Sequence, residues 1–405
     1  MKPKKGKKEQ HRFDRVALLL QGGGALGSYQ AGVYQALDEA KIEPDWVAGI
    51  SIGAINSALI AGNAPEDRVA SLREFWEAVS KPPLGPMGIT YDPSFMDISN
   101  DAVHRMVNQT RAMGIALFGA PDFFTPRNPL SYFLPATSPD KLSMYDVTPL
   151  RNTLERLVDF ERINNGLIRF SVGATNVRTG NFLYFDNTEE KITASHVIAS
   201  GSLPPGFPAA EIDGEYYWDG GIVSNTPWEW VLGARPRQDT LAFQVDLWNA
   251  RGELPKTFPD IQVREKEIRF SSKTRAGTEH YKYSQKLRVA LANILAELPP
   301  ELRNHPDARL LADEADDRVC NIVQLIYESK NYEGNSKDFE FSRRTMEEHW
   351  TAGYEDTVKT LAHPEALIPP DRHVGVRVFD FAHENDGTEA AASDEKTSSK
   401  SEKAS

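Results

Sequence analysis

The stretch Val16–Asn56 reads VALLLQGGGALGSYQAGVYQALDEAKIEPDWVAGISIGAIN and contains two glycine-rich turns. A short apolar run ends in three glycines, Gly22–Gly24, and a helical pattern follows them. A second short apolar run, Trp46–Ala48, continues directly into G-I-S-I-G at residues 49–53. The order of strand, glycine turn and helix therefore occurs twice within this stretch.

The second turn matches G-x-S-x-G, the pattern of a nucleophile elbow. In such an elbow a serine lies on a sharp turn between a strand and a helix, and its hydroxyl is exposed. Gly49 and Gly53 are expected because a side chain at either position would collide with the neighbouring turn. The sequence thus predicts that Ser51 is a nucleophile.

The first turn predicts a site for a negatively charged oxygen. Gly22–Gly24 lie between a strand and a helix N-terminus, where free N–H groups and the helix dipole favour negative charge. We interpret them as an oxyanion hole for the acyl carbonyl. The same glycines, with Gly27, also spell the dinucleotide fingerprint G-x-G-x-x-G. That alternative is disfavoured because Asp45 precedes the second strand instead of ending it; a tight turn without a ligand is the other alternative.

A serine nucleophile needs a base, and the sequence favours an aspartate. None of the nine histidines lies in a stretch typical of a catalytic histidine loop. Asp219 ends an apolar run and opens Asp219-Gly220-Gly221. Asp213-Gly214, by contrast, is typical of a plain hairpin turn. On local sequence alone, Asp219 is either the base or another turn.

The ordered combination of G-G-G-x-x-G, G-x-S-x-G and a distant D-G-G resembles the patatin-like phospholipase family. The resemblance covers about residues 14–235 and implies a three-layer α/β/α fold around a mostly parallel sheet. It implies acyl-ester hydrolysis by a serine–aspartate dyad, with Ser51 as nucleophile, Asp219 as base and Gly22–Gly24 as the oxyanion loop. It implies no catalytic histidine, no metal and no organic cofactor. The supporting motif positions are Gly27, Gly49, Ile52, Gly53, Gly220 and Gly221.

Two further comparisons with the family pattern affect the expected function. Residues 173–176 (GATN), followed by Thr179-Gly180, resemble the family's ATD-x-x-TG hairpin, with Asn176 in place of aspartate. Leu26 stands where the family usually carries arginine or lysine. Loss of a cation beside the oxyanion loop would weaken a preference for anionic phospholipids.

Composition predicts one large α/β domain with an extension. The chain has 405 residues, of which 40% are hydrophobic, and a net charge of −12, which argues against a general nucleic-acid binder. A single cysteine, Cys320, excludes an intramolecular disulfide, and no apolar stretch reaches the length of a membrane span. We expect a cytoplasmic protein with a lipid or membrane-surface substrate. The five lysines of the N-terminal tail are solvated or attract anionic lipid at a membrane periphery.

The expected organisation has four parts. Residues 1–13 form a basic disordered tail, 14–250 the catalytic domain, 251–383 a mainly helical extension and 384–405 a disordered tail. Within the catalytic domain, prolines recur through residues 82–140, which predicts an irregular insertion. We interpret that insertion as an acyl-chain wall or interfacial lid, with a core-covering excursion or an oligomer contact as the alternatives.

The sequence therefore predicts a lipid acyl hydrolase that forms an acyl-enzyme on Ser51. Two alternatives stay open at this point. One is an esterase or acyltransferase acting on non-phospholipid esters, which Leu26 slightly favours. The other is a catalytically idle protein of a lipid or granule surface, which the intact Ser51, Asp219 and glycine loop disfavour.

Overall fold

The computed structural model of the protein describes residues 13–83, 101–133, 135–330 and 332–381. Residues 1–12 of the predicted N-terminal tail lie outside this range, and so does the whole predicted C-terminal tail, residues 384–405. The spacing of apolar residues predicts helices over residues 262–298 and 343–361, and the structure has a helix in each place.

The described strands form one large sheet and one small two-stranded antiparallel sheet. In chain order they are β1 (Arg15–Leu20), β2 (Trp46–Gly49), β3 (Thr125–Pro126), β4 (Tyr145–Asp146), β5 (Arg169–Asn176), β6 (Phe182–Asp186), β7 (Ala210–Ile212), β8 (Glu215–Asp219), β9 (Thr240–Asp246), β10 (Cys320–Ile326) and β11 (Val376–Phe379). The large sheet has the order β11-β10-β9-β1-β2-β5-β8-β7, with β6 paired to β5. The strands from β11 to β5 in that order are parallel, and β6, β7 and β8 are antiparallel to their neighbours.

Helices cover both faces of the sheet. They are α1 (Ser28–Glu39), α2 (Ile52–Ala61), α3 (Arg68–Val79), α4 (Asp101–Phe118), α5 (Thr148–Leu157), α6 (Phe160–Asn164), α7 (Ala194–Ser200), α8 (Trp228–Gly233), α9 (Phe258–Glu297), α10 (Pro300–Arg303), α11 (Pro306–Glu314) and α12 (Arg343–Leu361). Along β1, Leu18 and Leu20 belong to one buried cluster, whereas Ala17 and Leu19 belong to the other. Because side chains alternate along a strand, these two clusters are the two faces of the sheet. The predicted three-layer α/β/α fold is confirmed.

The C-terminal region contains two strands beside its helices, and one of them lies where the sequence predicts a helix. The pattern over residues 309–328 predicts a helix, but α11 ends at Glu314 and β10 follows. β10 lies parallel beside β9, and β11 lies parallel beside β10. The run CNIVQLI has its two polar residues, Asn321 and Gln324, three positions apart, so it lacks the strict alternation of apolar and polar residues that indicates a strand. The region after residue 250 therefore widens the central sheet by two strands.

The insertion at residues 82–140 contains a regular element, contrary to the prediction. Helix α4 occupies 18 residues, Asp101–Phe118. Prolines stand before it and after it, but none falls between residues 94 and 120, so the helix fits into the gap. Residues 84–100 of the insertion lie outside the described residues.

Membrane-spanning candidates are missing from the part of the chain that the structure describes. Each helix there is too short or too polar to cross the apolar core of a bilayer.

The contact between α1 and α12 depends on two glycines. A Cβ atom on Gly32 would overlap the carbonyl oxygen of Trp350, and one on Gly353 would overlap the carbonyl oxygen of Tyr29. The two backbones therefore touch, and the Trp350 indole N–H donates to Gln35 Oε1 over 2.7 Å. This crossing attaches the C-terminal region to the helix that follows the first glycine turn.

We predict that Gly353→Ala lowers the free energy of unfolding by about 1–3 kcal/mol, because an added methyl group must separate two packed backbones. The matched control is Gly233→Ala at the end of α8, where a Cβ atom would meet no other atom within 4 Å. That control should be neutral or slightly stabilising, since alanine restricts the unfolded chain. Urea unfolding measures both variants, and equal stability of the two would contradict the close crossing.

Candidate active site

Ser51 lies on a strained turn between β2 and α2. Its backbone angles are φ 55° and ψ −122°, a region that side-chain-bearing residues rarely adopt. A Cβ atom on Gly49 would overlap Gly53, and one on Gly53 would overlap the end of β1. The Ser51 N–H donates to the carbonyl oxygen of Ser200 over 3.1 Å, which holds the strained residue in place. Strain of this kind is found where function requires it.

Strand β5 places Asp219 beside the elbow. Gly49 of β2 is opposite Val172, and Asp219 of β8 is opposite Ala174, two positions further along the same strand. The Asp219 N–H donates to the carbonyl oxygen of Ser202 over 3.0 Å. Strands β2 and β8 are distant in sequence, but both pair with β5 and therefore end close to one another.

The Asp219 carboxyl group is buried, with only 2% of the residue exposed, and it accepts a hydrogen bond from the Gly221 N–H over 2.7 Å. It lines the same cavity as Ser51. Burial raises the pKa of Asp219 from its ordinary value of 3.8 to about 7, and the Ser51 side chain and the Gly221 N–H oppose that rise. The structure thus brings together the predicted nucleophile and the predicted base.

The glycine loop presents two N–H groups instead of three. The Gly22 N–H donates to the Asn225 carbonyl oxygen over 3.2 Å, so it is already used. Within the described residues, the N–H groups of Gly23 and Gly24 have no acceptor. Gly24 has φ 57°, in the left-handed region that glycine tolerates. Of the three predicted oxyanion donors, Gly22 therefore has its N–H group engaged, and the described residues offer no acceptor to those of Gly23 and Gly24.

Side chains that the sequence analysis missed fix the position of this loop. The Gly22 carbonyl oxygen accepts from Asn225 Nδ2 over 3.0 Å and from the Trp248 indole N–H over 2.9 Å. Gln21 Oε1 accepts from the backbone N–H groups of Leu247 and Trp248. Each of these contacts joins positions more than 200 residues apart. No local motif signals them.

The C-terminal region forms the outer wall of the loop. The Ala25 N–H donates to the Asp338 carbonyl oxygen over 2.8 Å. The Asp338 carboxylate is bound by Lys266 Nζ, at 2.7 and 2.9 Å. The neighbouring residues form a second pair with the charges exchanged, because Lys337 Nζ donates to Glu267 Oε1 over 2.7 Å. Two ion pairs between α9 and this segment therefore support the residue that holds the loop.

An apolar cavity of about 400 Å³ opens from Ser51 and Asp219. Its walls include residues from the insertion, among them Ile115 and Phe123. The remaining walls are mainly aromatic and aliphatic, with Tyr145, Leu150 and Phe207 among them. No histidine is found among the described residues that line it. The insertion thus contributes a wall to the cavity, as one of the two sequence interpretations expects.

Leu26 does not border the cavity, which corrects the sequence argument based on it. Its side chain is fully buried in the main core. Its backbone N–H donates to the Gly23 carbonyl oxygen over 3.2 Å. The identity of residue 26 therefore gives no information about charge at the substrate.

Asn176 has a structural role in the hairpin between β5 and β6. Its Oδ1 accepts from the backbone N–H groups of Arg178 and Thr179, over 3.0 and 2.9 Å. Both bonds use only an acceptor oxygen, which asparagine and aspartate share. The departure from the family's aspartate is therefore tolerated at this turn.

The comparison with protein families agrees with this geometry. The family model described as "Patatin-like phospholipase" matches residues 18–232, which is more than half of the chain. The chain belongs to the patatin-like phospholipase family. A second family model, described as "Patatin phospholipase", matches residues 268–373 in the C-terminal region.

Individual relatives are similar over short segments. A protein named triacylglycerol lipase SDP1L from Arabidopsis thaliana is 33% identical over 70 residues, which is 17% of this chain and 9% of that protein. A protein named lysophospholipase nte1 from Aspergillus terreus is 55% identical over 49 residues, 12% of this chain and 3% of that protein. The matched segments therefore span less than a tenth of these relatives. Among solved structures, VipD from Legionella pneumophila has a TM-score of 0.40 at 15% identity, over 93% of this chain and 73% of that chain.

Within the described ranges, no group of three or more histidine, cysteine, aspartate or glutamate side chains is arranged to hold an ion.

We predict that Asp219→Asn becomes more stable relative to the wild type as the pH rises. The pKa of Asp219 is about 7 in the folded protein and about 3.9 in an unfolded chain. The stability contributed by the bound proton is therefore fully present below about pH 4 and is lost as the pH rises through about 7. Asparagine does not titrate, so the Asp219→Asn variant does not lose this stability as the pH rises.

Urea unfolding at pH 4, 6 and 8 measures this difference. Asp246→Asn is a parallel test, because burial also raises the pKa of Asp246 to about 7 and Asp246 does not line the cavity. The stability difference between each variant and the wild type should grow with pH in both cases. A difference that stays constant over this range would contradict the raised pKa values.

Proposed function

We propose that this patatin-like protein is a serine hydrolase that cleaves fatty-acyl ester bonds of lipids through Ser51 and Asp219. The observation that carries the proposal is that Ser51, on its strained elbow, and a buried Asp219 line the same cavity. An aspartate with an ordinary pKa is a poor base near neutral pH, but one with a pKa of about 7 is suited to that role. The neighbouring apolar cavity supports an acyl chain as the substrate.

In the proposed acylation step, ionised Asp219 takes the hydroxyl proton of Ser51 while the oxygen attacks the ester carbonyl. The N–H groups of Gly23 and Gly24 donate to the oxyanion that develops. Asp219 then gives its proton to the leaving alcohol, and the acyl group stays on Ser51. Direct contact between base and nucleophile means that no separate encounter is required.

In the proposed deacylation step, Asp219 takes a proton from water, and the hydroxide attacks the acyl carbonyl. The same two N–H groups stabilise the second oxyanion, and Ser51 recovers its proton from Asp219 as the fatty acid leaves. If another alcohol replaces water, the product is a new ester, so acyl transfer uses the same residues.

Two destabilising features argue against a catalytically idle scaffold. Ser51 holds a strained backbone conformation, and Asp219 is a carboxyl group buried at the end of a cavity. Each opposes folding and contributes nothing to binding a lipid surface. Their retention in one place supports catalysis.

We predict that Ser51→Ala lowers kcat for a chromogenic acyl ester by roughly three orders of magnitude or more, because the nucleophile is lost. Asp219→Asn should lose nearly as much, since an amide does not accept the proton. The double variant should be scarcely worse, because residues that act as a unit are not additive. Fluorophosphonate labelling should disappear in Ser51→Ala.

Asp246→Asn is the matched control for Asp219→Asn. Both carboxyl groups are buried and both have a pKa raised to about 7, but only Asp219 contacts Ser51. The control should keep most of its activity. If Ser51→Ala keeps most of the wild-type activity while circular dichroism shows a folded protein, the proposed nucleophile is wrong.

We also predict that kcat/KM rises with pH and levels off above about pH 7, since only the ionised form of Asp219 can accept the proton. The same inflection should appear in Asp246→Asn. A profile that is flat from pH 5 to 9, or an inflection that Asp246→Asn removes, would show that Asp219 is not the titrating base.

A further inference from the structure

A second cavity, of about 340 Å³, lies behind one wall of the acyl cavity. Among the described residues, Ile115 and Phe341 are the two that line both cavities, so their side chains form the wall between them. We call this second space the outer cavity. The rest of its lining comes from residues 80–83 after α3, from Arg111 of α4 and from residues 342–344 at the start of α12.

The shared wall and the proposed catalytic pair belong to different parts of the acyl cavity. Ile52 and Ile55 line this cavity, and Ile55 lies four positions after Ser51, about 6 Å further along the axis of α2. An acyl chain attached to Ser51 therefore has room along the first turn of this helix. Neither Ser51 nor Asp219 lines the outer cavity. The wall thus closes the acyl cavity on a side that the catalytic pair does not share.

The Phe341 side of the wall is fixed by its neighbours. Phe341 is buried, its ring stacks on Trp76 with the centroids 6.4 Å apart, and it contacts the Phe123 ring at 5.4 Å. The backbone beside it is also held, because Glu340 Oε1 accepts from the Ser342 N–H over 3.2 Å. Side chains in a close-packed interior cannot swing aside without losing such contacts. The ring therefore acts as a fixed wall and not as a gate.

The lining of the outer cavity suits a hydrocarbon chain. The proline pair 82–83 is apolar, and two of its arginines have their charged ends engaged elsewhere. Arg343 Nε donates to Ser80 Oγ over 2.9 Å, and Arg344 Nε donates to Glu348 Oε1 over 2.8 Å. The aliphatic stems of long cationic side chains cover apolar surface in this way. An alkyl chain that passed the wall would therefore find an apolar environment behind it.

We propose that Ile115 and Phe341 set the length of the acyl chain that this protein accepts, by closing the acyl cavity in front of the outer cavity. The proposal rests on the acyl-hydrolase function proposed above and adds two specificity-determining residues to it. A chain that ends at the wall buries all of its methylene groups. A longer chain must fold back or leave its end in water.

The test measures kcat/KM for nitrophenyl esters from butanoyl to octadecanoyl, all presented in the same detergent micelles. Each methylene group that becomes buried should raise kcat/KM about fourfold, and in the wild type this rise should stop at the length that reaches the wall. Phe341→Ala should move the stop to longer chains. For the ester four carbons beyond the wild-type stop, its kcat/KM relative to the butanoyl ester should exceed the wild-type ratio at least about tenfold, the effect of about two further buried methylene groups.

Ile115→Ala is an independent variant of the same wall. It should change the ratio in the same direction by a smaller factor, because a smaller side chain is removed. Binding tests the wall without catalysis: in a Ser51→Ala background, Phe341→Ala should strengthen the displacement of a fluorescent fatty acid by a long-chain acid relative to octanoate, again at least about tenfold.

Phe75→Ala is the matched control. Phe75 is also a buried phenylalanine whose ring contacts Phe123, at 6.4 Å, but it lines neither cavity. Its chain-length profile should equal that of the wild type. Circular dichroism checks the fold of every variant. If either alanine variant is unfolded, Phe341→Leu and Phe75→Leu replace the pair, with a smaller change expected for Phe341→Leu alone.

Three results would overturn the proposal. If folded Phe341→Ala and Ile115→Ala keep the wild-type profile, the wall does not set chain length, while the hydrolase function stands. If Phe75→Ala shifts the profile as much as Phe341→Ala does, the shift comes from a loosened core and not from the wall. If the wild type hydrolyses none of the esters, the proposed function fails and this inference fails with it.

Discussion

The active site depends on the close approach of backbones where β1 and β2 end. A Cβ atom on Gly53 would overlap the last residue of β1, and one on Gly22 would overlap the Asn225 side chain. Because no side chain separates these segments, the glycine loop and the nucleophile elbow share one small volume. In the proposed mechanism, the N–H groups of Gly23 and Gly24 can then reach the carbonyl that Ser51 attacks. The rest of the sheet supplies the rigidity that keeps this spacing.

Burial of Asp219 is a compromise between basicity and stability. Removing water from the carboxyl group raises its pKa and its strength as a base, and it makes the ionised form less stable in the folded protein. The Ser51 side chain and the Gly221 N–H offset part of that penalty. More donors would lower the pKa and weaken the base, and fewer would leave a buried charge without partners. The net result is a pKa of Asp219 that is raised to about 7.

Local sequence predicted the parts of the site that local geometry determines. The elbow at Ser51 and the turn at Asp219 each need glycines in a fixed pattern, so both were visible in the sequence. Asn225 and Trp248 were not, because their partner Gly22 is more than 200 positions away and no spacing rule connects them. Leu26 was misjudged for a related reason: the direction of a side chain in a short turn depends on packing. β10 lies where the sequence predicts a helix, because its polar residues Asn321 and Gln324 are three positions apart and do not alternate with apolar residues.

The ion pairs behind the glycine loop make the C-terminal region part of the active site. Lys266 and Glu267 are consecutive on α9, and they pair with Asp338 and Lys337 in the opposite charge order. A slip of this segment along α9 would place like charges together, so the pairing fixes its register. The same segment supplies the carbonyl oxygen that accepts from the Ala25 N–H. β10 also continues the sheet beyond β9. The domain boundary predicted at residue 250 therefore separates neither the hydrophobic core nor the candidate active site into two parts.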